Sequence, residues 1–269
     1  MKRKLLPALL LVAVILIPVS AHDLFLKLDS YFVPPNEKVT IKVLNGSFQA
    51  SDGAVSFNRL ADVSVISPSG GRSKPIEADF TKDEKTSYLN LQPSEVGNYV
   101  VGLSTRTREI ELSGKDFNEY LIEDGIPDTL EERKNRNELE KNVRERYSKH
   151  VKTVFQVGDR QTSNYKTVFG YPAEIVARRN PYSLKVGDTF EFLCLKDGKP
   201  IANQYVMTGR DDGTNLRIGE NVRSDKKGVA RVRLSGPGKW YVKFIHMTRL
   251  DDPNLNYESK WASFSFEVR

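Results

Sequence analysis

Apolar and polar residues alternate in short runs from His22 to about Glu111, as in "HDLFLKLD", "KVTIKVLNG", "ADVSVISPSG" and "TSYLNLQPSEVGNYVVGLST". Gly, Pro, Asn and Ser clusters separate the runs, the pattern of half-buried antiparallel strands. A period of two places His22, Leu24, Leu26 and Leu28 on one face of the first run, and Tyr99 and Val101 together on a later one. Alternation returns from about Gly170 in "DTFEFLCLKDGKP", "SDKKGVARVRL", "GPGKWYVKFIHM" and "WASFSFEVR". There Phe190, Phe192 and Cys194 share a face, as do Trp240, Val242, Phe244 and His246. "KDGKP" reads as a hairpin turn. Between the two β regions the segment 112–169 is dominated by charge. Pro127-Asp128 opens a helix start, and Leu130, Leu139, Val143, Tyr147 and Val151 approximate a helical stripe whose opposite side is a solvated face. The fold class expected is mainly β: two antiparallel β-sandwich domains, 22–111 and 170–269, joined by a charged, partly helical insertion over 112–169.

The first residues follow a different rule. Lys2, Arg3 and Lys4 precede an apolar centre from Leu5 to Ile17, and Val19-Ser20-Ala21 follow. This is the layout of a cleaved secretory signal peptide over 1–21, and the apolar centre is shorter than the ~20 residues of a spanning helix. Cleavage after Ala21 makes His22 the first residue of a periplasmic or secreted protein with no membrane span. Loss of Lys2, Arg3 and Lys4 lowers the formal charge from +6 to +3. Acids interrupt the remaining Lys and Arg residues, so no basic stripe for nucleic acid exists. The single cysteine, Cys194, allows no disulfide within the chain and reads as a small buried thiol.

The stretches "GYPAEIVARRNPYSLKVGDTFEFLCLKDGKPIANQYV", "SDKKGVARVRLSGPGKWYVKFIHM" and "WASFSFEV", with the opening "AHDLFLKLDSYFVPPNEKVTIKVLNG", resemble a bacterial family of exported proteins of unknown function. Its members are commonly labelled periplasmic components of cobalt or nickel uptake systems. The likeness covers nearly the whole mature chain and implies a transthyretin-like or collagen-adhesin-B-like sandwich at the C-terminal end. It also implies a metal permease or another cell-envelope protein as partner.

Candidate chemistry is confined to few residues, because the chain has three histidines. A mature His22 offers its α-amine and an imidazole nitrogen, and a second histidine would complete a three-nitrogen set suited to a divalent transition metal, Ni, Co or Cu. His246 is the expected second ligand, since it and His22 each stand at the end of an apolar strand face. His150, among Arg144, Arg146, Lys149 and Lys152, is expected on the exposed side of the helix, with its pKa lowered by those cations. The acid pairs Asp211-Asp212 and Asp251-Asp252 lack calcium-loop spacing and read as turn formers. No Walker, G-x-S-x-G, H-E-x-x-H or C-x-x-C sequence is present, so hydrolase, nucleotide and thiol-redox chemistry lack their minimum parts. The reading is a non-enzymatic periplasmic protein that binds or delivers a metal through His22 and His246. A structural or interaction sandwich of the cell envelope without metal is the alternative, and a copper oxidase ranks behind both.

Overall fold

The computed structural model describes residues 22–269, and the expected leader, 1–21, lies outside them. The chain begins with β1 (Asp23–Leu28), β2 (Phe32–Val33) and β3 (Val39–Gly46), then β4 (Leu60–Ile66), β5 (Arg72–Ser73), β6 (Phe80–Lys82) and β7 (Ser87–Leu91). It continues through β8 (Gly97–Thr105), β9 (Arg108–Leu112), α1 (Gly114–Glu123), α2 (Pro127–Asn135) and the long β10 (Val143–Val157). The C-terminal part holds β11 (Ala173–Ala177), β12 (Thr189–Lys196), β13 (Lys199–Pro200), β14 (Tyr205–Asp211), β15 (Leu216–Ile218) and β16 (Val222–Arg223). β17 (Val229–Arg233), β18 (Gly238–Arg249) and β19 (Tyr257–Val268) complete it.

The mainly β sandwich character expected from the alternation is present, but the two halves share a sheet. The central sheet runs β15-β14-β18-β19-β10-β8-β4-β5, so it draws strands from both ends of the chain. β10 and β19 pair in parallel from Glu145↔Tyr257 to Thr153↔Ser265 and join the halves. On one face lies the sheet β1-β3-β7-β6, where Leu24, Leu26, Leu28, Ile41 and Leu89 meet Val63, Val101, Leu103, Val151 and Phe155. On the other face lie β11, β12, β13 and β17, where Ile175, Phe190, Phe192, Cys194 and Val232 meet Val154, Trp240, Val242, Phe244, Phe264 and Phe266. Odd-numbered residues of β10 thus face the N-terminal sheet, and even-numbered ones the C-terminal sheet.

The expected helix ends early. α2 stops at Asn135 because Asn137 takes a left-handed φ of 54°. Glu138 N then donates to Arg133 O and Asn137 N to Lys134 O, a Schellman close. α1 closes the same way at Gly125, φ 72°, with Ile126 N donating to Leu121 O. The apparent stripe Val143, Tyr147, Val151 belongs to β10 instead, because charged residues occupy inward positions on that strand and hide its alternation. The segment 112–169 is therefore two short helices plus the strand that fuses both cores. Phe117, Tyr120 and Leu121 of α1 pack against Ile245, Tyr257 and Trp261 of the central sheet beside the N-terminal sheet. The "KDGKP" turn is as expected, with Asp197 at φ 49° and Gly198 at φ 75°, the two positive values of a type I′ hairpin.

Candidate functional site

β1 stands against the central sheet by its free edge. Its carbonyls at Leu24 and Leu26 accept hydrogen bonds from the Ser263 and Ser265 hydroxyls of β19. This satisfies backbone groups that an open edge would expose. Just before β1, the His22 carbonyl accepts from Lys149 Nζ, and His22 Nδ1 lies 3.1 Å from Asp52 Oδ2. Asp23 pairs with Lys243, and Lys243 Nζ also lies 2.9 Å from Asp124 Oδ1. The start of β1, the end of α1 and the middle of β18 are thereby held by one buried ammonium.

Burial dominates the electrostatics of this cluster. It raises the Asp124 carboxyl to about 6, with Lys243 opposing and Asp23 adding to the rise. It lowers Lys149 to about 8 against the pull of Asp23 and Asp124. Lys243 is the exception, because two carboxylates outweigh its burial and hold its pKa above the ordinary lysine value. Lys149 also lies 4.7 Å from the Trp261 ring centre, a cation-π contact that favours its charged form. Next to it, Glu145 accepts from the Ser259 hydroxyl and from Tyr120 Oη at 3.2 Å, and burial pushes its carboxyl up to about 7.

A carboxyl raised from 4.5 favours the folded state in its protonated form. Glu145 therefore favours folding below its unfolded value, and the contribution is lost as pH rises through about 7. Glu145→Gln keeps an acceptor for Ser259 and Tyr120. It is expected to be near neutral at acid pH and to stabilise the protein by roughly 2–3 kcal/mol at pH 8, because each tenfold difference in proton affinity between the folded and unfolded chain is worth about 1.4 kcal/mol. Denaturant midpoints at the two pH values measure this, and an equal effect at both would refute it.

The structure does not bring His22 and His246 together. On β18, Tyr241 touches Phe25 of β1 at 5.0 Å between ring centres, and Lys243 touches Asp23, whereas Val242 and Phe244 enter the core under the C-terminal sheet. Alternation puts His246 with Val242 and Phe244. The two histidines thus lie on opposite faces of the central sheet and do not fit one shared ion. The equal apolar periodicity of their strands carried no information on which face of β18 would receive β1. Among the described residues no three His, Cys, Asp or Glu side chains gather as a metal group.

His246 Nδ1 instead lies 3.0 Å from Gln204 Oε1, and burial followed by Lys196 lowers its pKa. His150 is on β10 rather than an exposed helix face, and it is 2% exposed. Its Nδ1 and Nε2 lie 2.8 and 3.0 Å from the hydroxyls of Ser104 and Ser148. Its pKa falls to about 3, mainly by burial with Lys260 second. The direction matches expectation, but the expected cause was a cationic surface. Cys194 is fully buried, and burial raises its thiol far above the ordinary value. The acid pairs act as turn formers: Asp211 accepts from Gly213 N, Asp212 from Thr214 and Asn215 N, and Asp252 from Asn254 N.

Sequence reasoning missed the cluster of Asp23, Asp124, Glu145, Lys149 and Lys243. One signal was available: Lys243 interrupts the face carrying Tyr241 and Ile245, and a lysine on an apolar strand face requires a partner. The counterions come from β1 and α1, distant in sequence, so no local pattern names them.

No curated protein matches the chain. Among solved structures, the D0-D1 domain of intimin is 14% identical, with 91% of this chain and 97% of that chain covered and a TM-score of 0.23. Murine CEACAM1b is 9% identical over 92% of this chain and 99% of that chain, TM-score 0.21. A DUF4785 family protein from Legionella pneumophila is 11% identical over 82% and 51%, TM-score 0.24. Superpositions at this level transfer neither topology nor activity. The sequence itself is more informative, since one family profile matches residues 19–248, and the chain belongs to that family, the domain of unknown function DUF4198.

Proposed function

We propose that this chain is an exported, non-enzymatic β-scaffold of the cell envelope that presents its surface to an envelope partner. The observation that supports this reading most is the inward commitment of its reactive groups. His150 and His246 have hydrogen-bond partners within the protein, Cys194 is sealed in the core, and Lys152 and Glu174 form an ion pair with both side chains 1% exposed. A body whose charged groups cross-brace its layers is suited to holding shape under load. The test is co-sedimentation of the purified protein with isolated envelope fragments. Saturable retention, competed by unlabelled protein, is expected, and a protein that stays in the supernatant at all fragment concentrations would overturn the reading.

One contact favours a second reading, in which the chain binds Ni, Co or Cu for an uptake system. His22 Nδ1 and Asp52 Oδ2 sit 3.1 Å apart at the protein rim, and cleavage after Ala21 would add the α-amine as a third donor. Calorimetric titration of protein beginning at His22 separates the two readings. The scaffold reading expects no site tighter than ~10 μM. Stoichiometric sub-micromolar binding that is lost in both His22→Ala and Asp52→Ala, but kept in His246→Ala, would replace it with the metal reading.

A further inference from the structure

The helical insertion leaves and re-enters the central sheet at neighbouring points, because Leu112 of β9 is paired with Val143 of β10. Between those points the segment 113–142 is stitched to itself. Buried Arg133 of α2 donates from Nε to Asn118 Oδ1 of α1 at 3.1 Å, and from Nη2 to the carbonyls of Glu138 and Lys141 at 2.7 and 3.0 Å. Asn118 Nδ2 donates in turn to Leu139 O at 2.9 Å. The two helices and the returning loop therefore form one braced body.

Its hold on the sheet is weaker in kind. Phe117 packs against Tyr257 at 5.2 Å between ring centres, and Tyr120 stacks on Trp261 at 5.7 Å. The apolar cluster they form shares no residue with the two cores between the sheets, so its separation leaves both cores closed. At the rim Asp128 meets Arg223, and Glu132 and Glu138 meet Arg249, but surface pairs of this sort contribute little. Beneath the helices Asp124 meets Lys243 and Tyr120 Oη donates to Glu145, and there the cost of desolvation offsets much of the attraction.

We infer that the α1–α2 hairpin is a flap that swings from the central sheet as a unit, about its roots at Leu112 and Val143, while both sandwich cores stay folded, and that a proton on Glu145 holds it shut. Glu145 is 2% exposed under the flap, and its bonds come from two hydroxyls, Tyr120 of α1 and Ser259 of β19, with no cation among them. The charged groups around it are Asp124 of α1 and Lys149 of its own strand, with Asp23 of β1 and Lys243 of β18 next to those. Arg59 acts on Lys149 from further off, Arg133 of α2 lies against the Phe117 ring, and β9 supplies only the uncharged Ile110. Opening wets Glu145 and returns it from about 7 toward the ordinary 4.5, so opening sheds a proton and becomes easier as pH rises through about 7. Asp124, near 6 when covered, acts in the same direction, and Lys149, near 8, opposes it only above that value.

The test is native-state hydrogen exchange of the whole protein, read at the amides of Phe117 to Leu121 and of Val151 to Phe155 at pH 5 and pH 8, with denaturant kept below the unfolding transition. After correction for intrinsic rates, the α1 amides are expected to exchange at least about a hundred-fold faster than those of β10 and with little response to denaturant. Their opening constant is expected to rise at least about ten-fold from pH 5 to pH 8, and Glu145→Gln to remove most of that rise. Thiol labelling gives a second reading, because Cys194 is sealed in the C-terminal core and reports global unfolding. The thiol introduced by Ile245→Cys, on the floor beneath the flap, is expected to react at least about a hundred-fold faster than Cys194. Equal rates and equal denaturant dependence in the two sets of amides, or equal reactivity of the two thiols, would overturn the flap. A pH rise left intact by Glu145→Gln would overturn the proton latch.

Discussion

Replacing Lys243 with Met is expected to destabilise the protein by roughly 3–5 kcal/mol at pH 7.5, the cost of removing one partner from a buried ion cluster. Its side chain is 7% exposed, and it lies between Asp23 and Asp124. Met fills much of the same volume, so the loss is electrostatic: two carboxylates remain buried, facing each other with Lys149 as the nearest cation. Asp124 already sits near 6 in the intact protein because burial and Asp23 oppose its ionisation. Removing its ammonium raises it further. The variant's folded state then binds a proton that the unfolded chain, with an ordinary carboxyl near 3.8, does not bind at neutral pH. Relative to the parent, the variant therefore recovers stability as pH falls from 7.5 to 5. Lys243→Met with Asp124→Asn deletes one of the stranded charges and is expected to restore at least half of the loss at pH 7.5. Denaturant unfolding of the three proteins at both pH values decides the matter. A defect independent of pH, or no rescue by Asp124→Asn, would mean that Lys243 acts through packing of its methylenes alone.

The strand faces were readable because the core depends on alternation: Leu24, Leu26 and Leu28, or Phe190, Phe192 and Cys194, point one way wherever the strand is placed. What pairs with what was not readable. Parallel pairing of β10 with β19 joins residues more than a hundred positions apart, and no turn chemistry announces such a pairing as Asp197-Gly198 announces a hairpin. β10 itself was disguised. Its outward Arg144 and Arg146 read as a helix surface, and its inward Glu145, Lys149 and Lys152 strengthened that impression, although each has a partner elsewhere in the fold. The two histidines of the expected metal pair stand apart for a related reason. Period two places His246 on a face of its strand but does not say which side of the finished sheet β1 will occupy.

Lys152→Met is the second change with a large expected effect, a loss of roughly 3–5 kcal/mol. Lys152 points from β10 toward the C-terminal sheet, where its Nζ lies 2.8 Å from Glu174 Oε1 and 2.7 Å from Thr167 O. Glu174, next to the start of β11, also accepts from Phe169 N at 2.7 Å and Gly170 N at 3.1 Å. The carboxylate therefore has two roles, counterion to the central sheet and acceptor for the 169–170 turn. These roles separate on mutation. Lys152→Met strands a negative charge that keeps only two amide donors. Phe169 N and Gly170 N donate to different oxygens of Glu174, so Lys152→Met with Glu174→Gln removes the charge, keeps an acceptor for one of the two amides and turns an NH2 toward the other; it is expected to return to within about 3 kcal/mol of the parent. Glu174→Leu on the same background restores apolar packing but leaves both amides unpaired, at about 1–3 kcal/mol each, and is expected to be worse than the Gln double variant. That ordering, read from unfolding midpoints, tests whether the pair matters as a charge or as a backbone acceptor. If the Leu double variant is the more stable, the turn amides find other partners and the ion pair alone holds the C-terminal sheet in place. If the Gln double variant is the more stable, Glu174 is needed first for the turn, and Lys152 serves to make its charge tolerable between two sheets.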